Sequence, residues 1–206
     1  MYKKITFSML LVAVLLLSSV GTVFAADGYE GYAIHRDGAF LGTTWHAGLM
    51  DESYSTDYLP VLHIAGLTGG VKWDSWDNFI NGNTFKGVYR PDGGISSSGR
   101  DLVKATGREL RTENIAYTPL SQIDYGVDVL SQTWVYPEDI GLIRCDGVVE
   151  YSFEWNSYRI FGSDDYWDIS RAGLQYLAQH SLAIVTPKSQ AQDYMTLVTS
   201  SVPTEP

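Results

Sequence analysis

The sequence predicts an α+β domain in which a small antiparallel sheet packs against helices. Three observations lead to this fold class. Short strand-like runs fill the first half of the chain, a helical apolar pattern begins at Cys145, and the pair Thr186-Pro187 has the features of a helix start. Strands that come first and helices that come later are typical of an α+β layer arrangement.

Short apolar and β-branched runs predict the strands, at residues 32–36, 39–42, 45–50, 61–65, 71–73 and 85–90. The dipeptide Asp37-Gly38 favours a hairpin turn between the first two. Pro91 stops the last of these strands. His46 and His63 therefore lie on predicted strands.

Two helices are expected between the strands and Cys145. A short helix starts at Ser75 and would end at Gly82. Ser98 with Asp101 three residues later resembles a capping box, which predicts an amphipathic helix through about residue 111. Its spacing places Leu102 on the inward face, together with Val103 and Leu110.

The second half of the chain predicts two further helices. After Cys145, apolar residues recur at helical spacing, at Val148, Val149, Phe153 and Trp155. Near the end, a capping threonine and a proline at the first helical position, Thr186-Pro187, predict a helix that runs through residues 195–198.

The first 25 residues have the pattern of a secretory signal peptide. Lys3 and Lys4 precede a mostly apolar run, residues 5–20, and the segment Val23-Phe24-Ala25 supplies small residues before the expected cleavage site at Ala26. The apolar run is shorter than the roughly 20 residues that span a bilayer. We therefore expect an exported protein, secreted without a stable membrane anchor.

Residues 26–206 are expected to form a single domain. Their length suffices for a core, and 45% of the whole chain is hydrophobic. The formal net charge is −10, and removal of the two signal-peptide lysines makes the remainder more acidic. Such a charge disfavours nucleic acid and anionic lipid as partners. The sequence leaves the oligomeric state open.

Cys145 is the only cysteine, so it forms no disulfide within the chain. It is a buried small hydrophobe, a link to another chain, or a reactive thiol. Its place at a predicted helix start favours the thiol. Unpaired backbone N–H groups and the positive end of the helix dipole would stabilise a thiolate there.

Four histidines could serve such a thiol as a base. His35 lies beside the Asp-Gly turn and is expected to face solvent, and His180 fits a cap or a packing residue. His46 and His63 are better candidates, because each would project from a half-buried strand. Spacing alone also fits two structural histidines, so both interpretations stay open.

No metal or cofactor is expected. The chain has neither a His-Glu-x-x-His motif nor a paired-cysteine spacing, which disfavours zinc. Asp164, Asp165 and Asp168 lack the spacing of a calcium-binding hand, so they indicate an acidic surface turn.

The run Cys145-Asp146-Gly147-Val148-Val149-Glu150-Tyr151 resembles the nucleophile helix of the NlpC-type papain-like cysteine peptidases and amidases. In most of that superfamily the cysteine precedes the histidine. Here the segment Trp45-His46-Ala47-Gly48 comes first, which is similar to the circularly permuted branch. That branch includes bacterial papain-like amidases and lecithin:retinol acyltransferase-like proteins. The resemblance covers roughly residues 31–160.

The resemblance implies a permuted papain-like domain with Cys145 as nucleophile, His46 as base and His63 as the residue that orients the base. It also implies a cysteine hydrolase that cleaves amide bonds, with a peptide or peptidoglycan fragment as substrate. The same triad would serve an acyltransferase or thioesterase, since it sets acyl-transfer chemistry but not the acceptor. A secreted binding protein that keeps the fold, with an inert Cys145, is the alternative of a different class.

Overall fold

The structure is a computed structural model that describes residues 28–39, 44–52, 59–66, 69–120, 122–125, 134–161 and 185–203. The predicted signal peptide lies outside the described residues. So do His180, the acidic group at 164–168 and most of the strand expected at 39–42.

Nine strands and four α-helices are described. The strands are β1 (Ala33–Gly38), β2 (Thr44–Met50), β3 (Val61–Ile64), β4 (Val71–Asp74), β5 (Phe85–Pro91), β6 (Ala116–Tyr117), β7 (Ile123–Tyr125), β8 (Ile140–Ile143) and β9 (Met195–Thr199). The helices are α1 (Trp76–Ile80), α2 (Ser97–Thr112), α3 (Cys145–Glu154) and α4 (Pro187–Tyr194). A short 3₁₀ turn, Pro137–Asp139, precedes β8.

The main sheet has six strands in the order β4-β3-β2-β1-β5-β9, and every neighbouring pair is antiparallel. A second, three-stranded sheet has the order β6-β8-β7. The expectation of an α+β fold with an antiparallel sheet packed against helices is confirmed.

Both faces of the main sheet are covered. Successive side chains of a strand point to opposite faces, so Ala47 and Leu49 project from one face of β2 and His46 and Met50 from the other. The first face carries the larger core with α2 and α3, and the second is covered by the aromatic residues of α1. Gly107 lets α2 approach the first face closely. A β-carbon there would lie 2.6 Å from a methyl group of Leu62.

The sheet opens between β2 and β3. These strands pair only through Leu49 with Leu62 and Met50 with Val61, whereas β1 and β2 pair through residues 33–36. Beyond these two pairs no further residue of β2 faces β3 in the ladder. Helix α3 packs on both strands. The Ala47 backbone on β2 hydrogen-bonds to Cys145, the first residue of α3.

The last predicted helix is too long. Helix α4 ends at Tyr194, and residues Met195–Thr199 form β9, which pairs with β5 at the edge of the sheet. The start of α4 is as expected, with the Thr186 hydroxyl accepting a hydrogen bond from the Ser189 N–H at 3.2 Å. Valine and threonine favour strands, and β5 offers a free edge that local sequence does not reveal.

Helix α2 also begins earlier than predicted. Its N-cap is Ser96, whose hydroxyl accepts a hydrogen bond from the Gly99 N–H at 3.0 Å. Val103 and Leu110 are buried as expected, but Leu102 is 55% exposed. The inward prediction for Leu102 is wrong, since the inward face of α2 at this turn is formed by Val103 and the stem of Lys104.

Candidate active site

Cys145 is the first residue of α3, as its sequence context predicts. Arg144 is the N-cap residue of this helix. Its side chain accepts no hydrogen bond from the first backbone N–H groups of the helix. Cys145 as a whole is 5% exposed, and it lines a pocket of about 420 Å³. A nucleophile at this place has backbone donors next to it.

Gly147, two residues after Cys145, occupies a position with no room for a side chain. A β-carbon at this position would lie 2.2 Å from the backbone oxygen of Gln122. The same oxygen accepts the Arg144 N–H at 2.9 Å. The glycine therefore lets the segment at Gln122 pack directly against the start of α3 and fix the position of Cys145.

Asp146 is fully buried and is held by Arg144. The guanidinium donates to both carboxylate oxygens, at 2.6 and 2.7 Å, and also to the Val185 carbonyl at 2.5 Å. This pair ties the start of α3 to the segment that leads into α4. It also compensates the charge of a carboxylate that would otherwise be costly to bury.

The expectation of an acidic thiol is wrong. Burial, and after it the Asp146 carboxylate, raise the pKa of Cys145 to about 12. Hydrogen bonding from the Ala47 backbone and the charge of Arg144 act in the opposite direction, but they do not outweigh desolvation. The resting thiol is therefore neutral. Sequence indicates the helix start, but not that the pocket buries the sulfur.

His46 and His63 are joined by a hydrogen bond across the opening. The distance from His46 Nε2 to His63 Nδ1 is 2.8 Å. Phe79 packs against both rings, with centroids 5.5 and 5.3 Å away. Gly48 leaves room for this arrangement, because a β-carbon there would lie 3.1 Å from the Phe79 ring.

Asp74 continues the chain of hydrogen bonds. Its Oδ2 lies 3.3 Å from His63 Nε2. Lys72 contacts the same oxygen at 2.7 Å, and Asn78 donates to Oδ1 at 2.8 Å. Asp74 is not among the site residues predicted from the sequence. The available signal was its position at the end of the strand after His63, directly before the cap of α1.

This chain of bonds fixes the histidine tautomers. Partial burial acts to raise the pKa of Asp74, but hydrogen bonds from Lys72, Asn78 and His63 leave it below its usual value. Asp74 is therefore a carboxylate and accepts from His63 Nε2–H. His63 Nδ1 then accepts from His46 Nε2–H, which leaves the lone pair of His46 on Nδ1. A base with this tautomer can take a proton at Nδ1.

Both histidines are neutral at rest. Burial, the neighbouring His63 and then Arg36 lower the pKa of His46 well below its usual value. Burial lowers the pKa of His63 to about 4, although Asp74 acts in the opposite direction. The site therefore holds a neutral thiol and a neutral imidazole. Proton transfer between them has to accompany attack on a substrate.

Cys145 and His46 line the same pocket, and His63 and Asp74 are linked to it through His46. Among the described hydrogen bonds none joins the Cys145 sulfur to the His46 ring. The walls are largely apolar, formed by Trp45, Tyr117, Pro119 and Pro187 among others. The arrangement offers a nucleophile, a base of defined tautomer and space for an acyl group.

His35 is not the solvent-facing residue that the sequence predicts. It is fully buried, with its ring 5.1 Å from that of Tyr89 and 6.4 Å from that of Trp45. Burial lowers its pKa to about 3. The reason is that helix α4 packs against β1, a long-range contact that the neighbouring Asp37-Gly38 pair does not reveal.

Within the described ranges, no cluster of three histidine, cysteine, aspartate or glutamate side chains is placed to hold a metal ion. No helix among the described elements has the length and apolar character needed to cross a membrane. Comparison of the chain with protein-family models, curated proteins and solved structures found no match.

The buried thiol should react slowly with iodoacetamide at neutral pH. Because its pKa is raised to about 12, the thiolate fraction and hence the rate should keep rising with pH through pH 10. The same protein in denaturant provides the control, in which the rate should level off above the unperturbed pKa of about 8.5. A plateau below pH 8.5 in the folded protein would show that the helix start dominates over burial.

Proposed function

We propose that the protein is a secreted cysteine-dependent amidase or peptidase that acts on amide bonds of cell-wall stem peptides. The observation that carries this proposal is the shared pocket. Cys145 lies there at a helix start without a side-chain cap, and His46 lines the same pocket with a tautomer set through His63 by Asp74. A nucleophile, an oriented base and backbone donors are the parts that acyl transfer needs.

The reaction begins with proton transfer. His46 Nδ1 takes the Cys145 proton while the sulfur attacks the carbonyl carbon of the amide. The backbone N–H of Cys145 helps to stabilise the oxyanion. Collapse of the tetrahedral intermediate breaks the C–N bond, and the His46 imidazolium gives its proton to the leaving amine. A thioester remains on Cys145.

Water completes the cycle. His46 removes a proton from a water molecule as its oxygen attacks the thioester. The C–S bond then breaks, the carboxylic acid leaves, and the proton returns to the sulfur. His63 stays neutral and holds the His46 ring in place, while Asp74 keeps His63 in the required tautomer.

A permuted papain-like domain fits this proposal. The histidines come before the cysteine in the chain, and an antiparallel sheet carries them beside the helix that begins at the cysteine. The signal-peptide pattern of residues 1–25 supports export to the compartment where peptidoglycan is the abundant amide-rich polymer.

An acyltransferase or thioesterase is the second candidate. It would use the same thioester on Cys145 with another donor or acceptor. The apolar walls at Trp45, Tyr117, Pro119 and Pro187 favour this alternative, since they suit an acyl chain as well as a peptide side chain.

Mass spectrometry of a mixed pool of muropeptides and acyl thioesters tests both candidate functions. We expect slow loss of small soluble stem-peptide fragments with the wild type and none with Cys145→Ala. Intact wall should be a poor substrate, because the net charge of −10 is unfavourable near anionic wall polymers. Ser152→Ala is the matched control. It removes one buried polar atom from the same helix, bonded to the Val148 carbonyl at 2.7 Å.

Three outcomes are distinguishable in this pool. Cysteine-dependent loss of muropeptides supports the amidase. Cysteine-dependent loss of thioesters with intact muropeptides supports the second candidate. No cysteine-dependent change in either would favour a binding protein that has kept the site architecture without the activity.

A further inference from the structure

Arg36 is a buried cation with incomplete hydrogen bonding in the wall of the pocket. Its side chain lines the pocket beside His46, and the residue is 8% exposed. Nη1 donates to the backbone oxygen of Asp37 at 2.8 Å, while the buried Nε has no hydrogen-bond partner. The Asp37 carboxylate pairs instead with Lys86 at 2.8 Å. None of the described ion pairs contains Arg36.

Arg36 lies next to the proposed catalytic groups. It is the register partner of His46 across β1 and β2, so both side chains project from the same face of the sheet. Its guanidinium lies 5.5 Å from the centre of the Phe79 ring, which also packs against His46. Cys145 lines the same pocket as Arg36. A ligand group bound to Arg36 would therefore lie close to the reacting atoms.

The charge of the pocket contrasts with that of the chain. The chain has a net charge of −10, yet the charged residues that line the described part of the pocket are Arg36 and Arg144. Arg144 is already paired with Asp146. Arg36 thus remains as the cation of the pocket that can form an ion pair with a ligand. Such a pair is favoured because burial of a cation without an anion is costly.

We propose that Arg36 binds a carboxylate of the substrate, a few atoms from the bond that Cys145 attacks. The planar guanidinium matches a carboxylate in shape and charge, and the charge-assisted hydrogen bonds would be strong in this buried place. The preferred substrates are thus amides that carry a free carboxylate near the scissile carbonyl. This inference rests on the proposed function, since it assigns the carboxylate to the acyl substrate of the same site.

The test compares two ligands of equal shape, 3-phenylpropionate and 3-phenylpropionamide. Binding is followed by tryptophan fluorescence at constant ionic strength, on the Cys145→Ser protein, so that the result does not depend on turnover. The carboxylate should bind about tenfold to a hundredfold more tightly than the amide.

Variants of Arg36 localise the preference. Arg36→Gln should lower the affinity for the carboxylate to that for the amide, and Arg36→Lys should keep part of the difference. Arg90→Gln is the matched control and should bind as the parent does. Arg90 also donates Nη1 to the carbonyl of the following residue, Pro91, at 3.1 Å, but it lies outside this pocket.

Equal affinity for the two ligands, or failure of the carboxylate to bind, overturns the proposal without need of any variant. A preference that persists in correctly folded Arg36→Gln overturns it as well. Turnover of neutral amides without carboxylate preference would refute the role of Arg36 and leave the proposed function standing. Carboxylate-selective binding in a protein that turns over no substrate would refute the proposed function instead.

Discussion

Replacement of His46 by asparagine should lower turnover by about two to four orders of magnitude, the range attributed to a general base. His46 Nδ1 is the atom proposed to take the proton of Cys145, and asparagine offers no basic nitrogen. His63→Asn should keep part of the activity. Its amide oxygen can still accept the hydrogen bond that His46 Nε2 now makes to His63 at 2.8 Å.

Asp74→Asn should lower the activity by more than the loss of one hydrogen bond would. An amide NH₂ in place of the carboxylate would donate to His63 Nε2 and move the His63 proton to Nδ1. That nitrogen would then donate to His46 Nε2 and leave the His46 proton on Nδ1, where it blocks general-base catalysis. The expected order of activity is His63→Asn above Asp74→Asn, with His46→Asn lowest.

Two measurements check this order. Values of kcat/KM give the losses, and nitrogen NMR of the histidine rings reports the tautomer that Asp74→Asn should reverse. Asp77→Asn is the matched control, an exposed carboxylate on α1 three residues away. Equal and complete losses in all three folded variants would leave the separate roles unsupported. A more damaging His63→Asn than His46→Asn would refute them.

Local sequence was sufficient to predict the elements that carry His46, His63 and Cys145. Short apolar and β-branched runs predict β1, β2 and β3, and the apolar spacing after Cys145 predicts α3. The turn expected at Asp37-Gly38 is wrong, because β1 continues through both residues. These signals lie within a few residues of the element they describe. Because these signals are local, they do not depend on long-range pairing, and the structure confirms the elements that they predict.

The features that sequence analysis missed depend on residues distant in the chain. Asp74 becomes part of the site because β4 pairs with β3, and Arg36 because β1 places it opposite His46. His35 is buried on β1, against which α4 packs, a helix that follows much later in the sequence. The protonation state of Cys145 also depends on the rest of the fold. The helix start favours a thiolate, but burial favours the neutral thiol.

A second large effect is expected at the end of β2, where Asp51 holds three elements together. Its carboxylate is fully buried and accepts hydrogen bonds from Arg108 on α2, at 3.0 and 2.5 Å, and from the Trp73 indole on β4 at 2.8 Å. Its Oδ1 also accepts the Glu52 N–H at 2.7 Å. This network fixes α2 against the strands that carry His46 and Asp74.

Asp51→Ala should lower the free energy of unfolding by about 3 kcal/mol. Removal of one partner of a buried pair leaves a charge without compensation, which costs about 3–5 kcal/mol. The low end applies because the Arg108 side chain is 29% exposed and retains a contact with Glu52 at 3.5 Å. For a chain of this size the midpoint of thermal unfolding should fall by roughly 6–12 °C.

Urea denaturation measures this loss, with Glu109→Ala as the matched control. Glu109 is an exposed carboxylate on α2 next to Arg108, and its removal should change stability by no more than about 0.5 kcal/mol. A loss below about 1 kcal/mol in Asp51→Ala would show that Arg108 and Trp73 find water or other partners. The carboxylate would then not be the group that fixes α2 to the sheet.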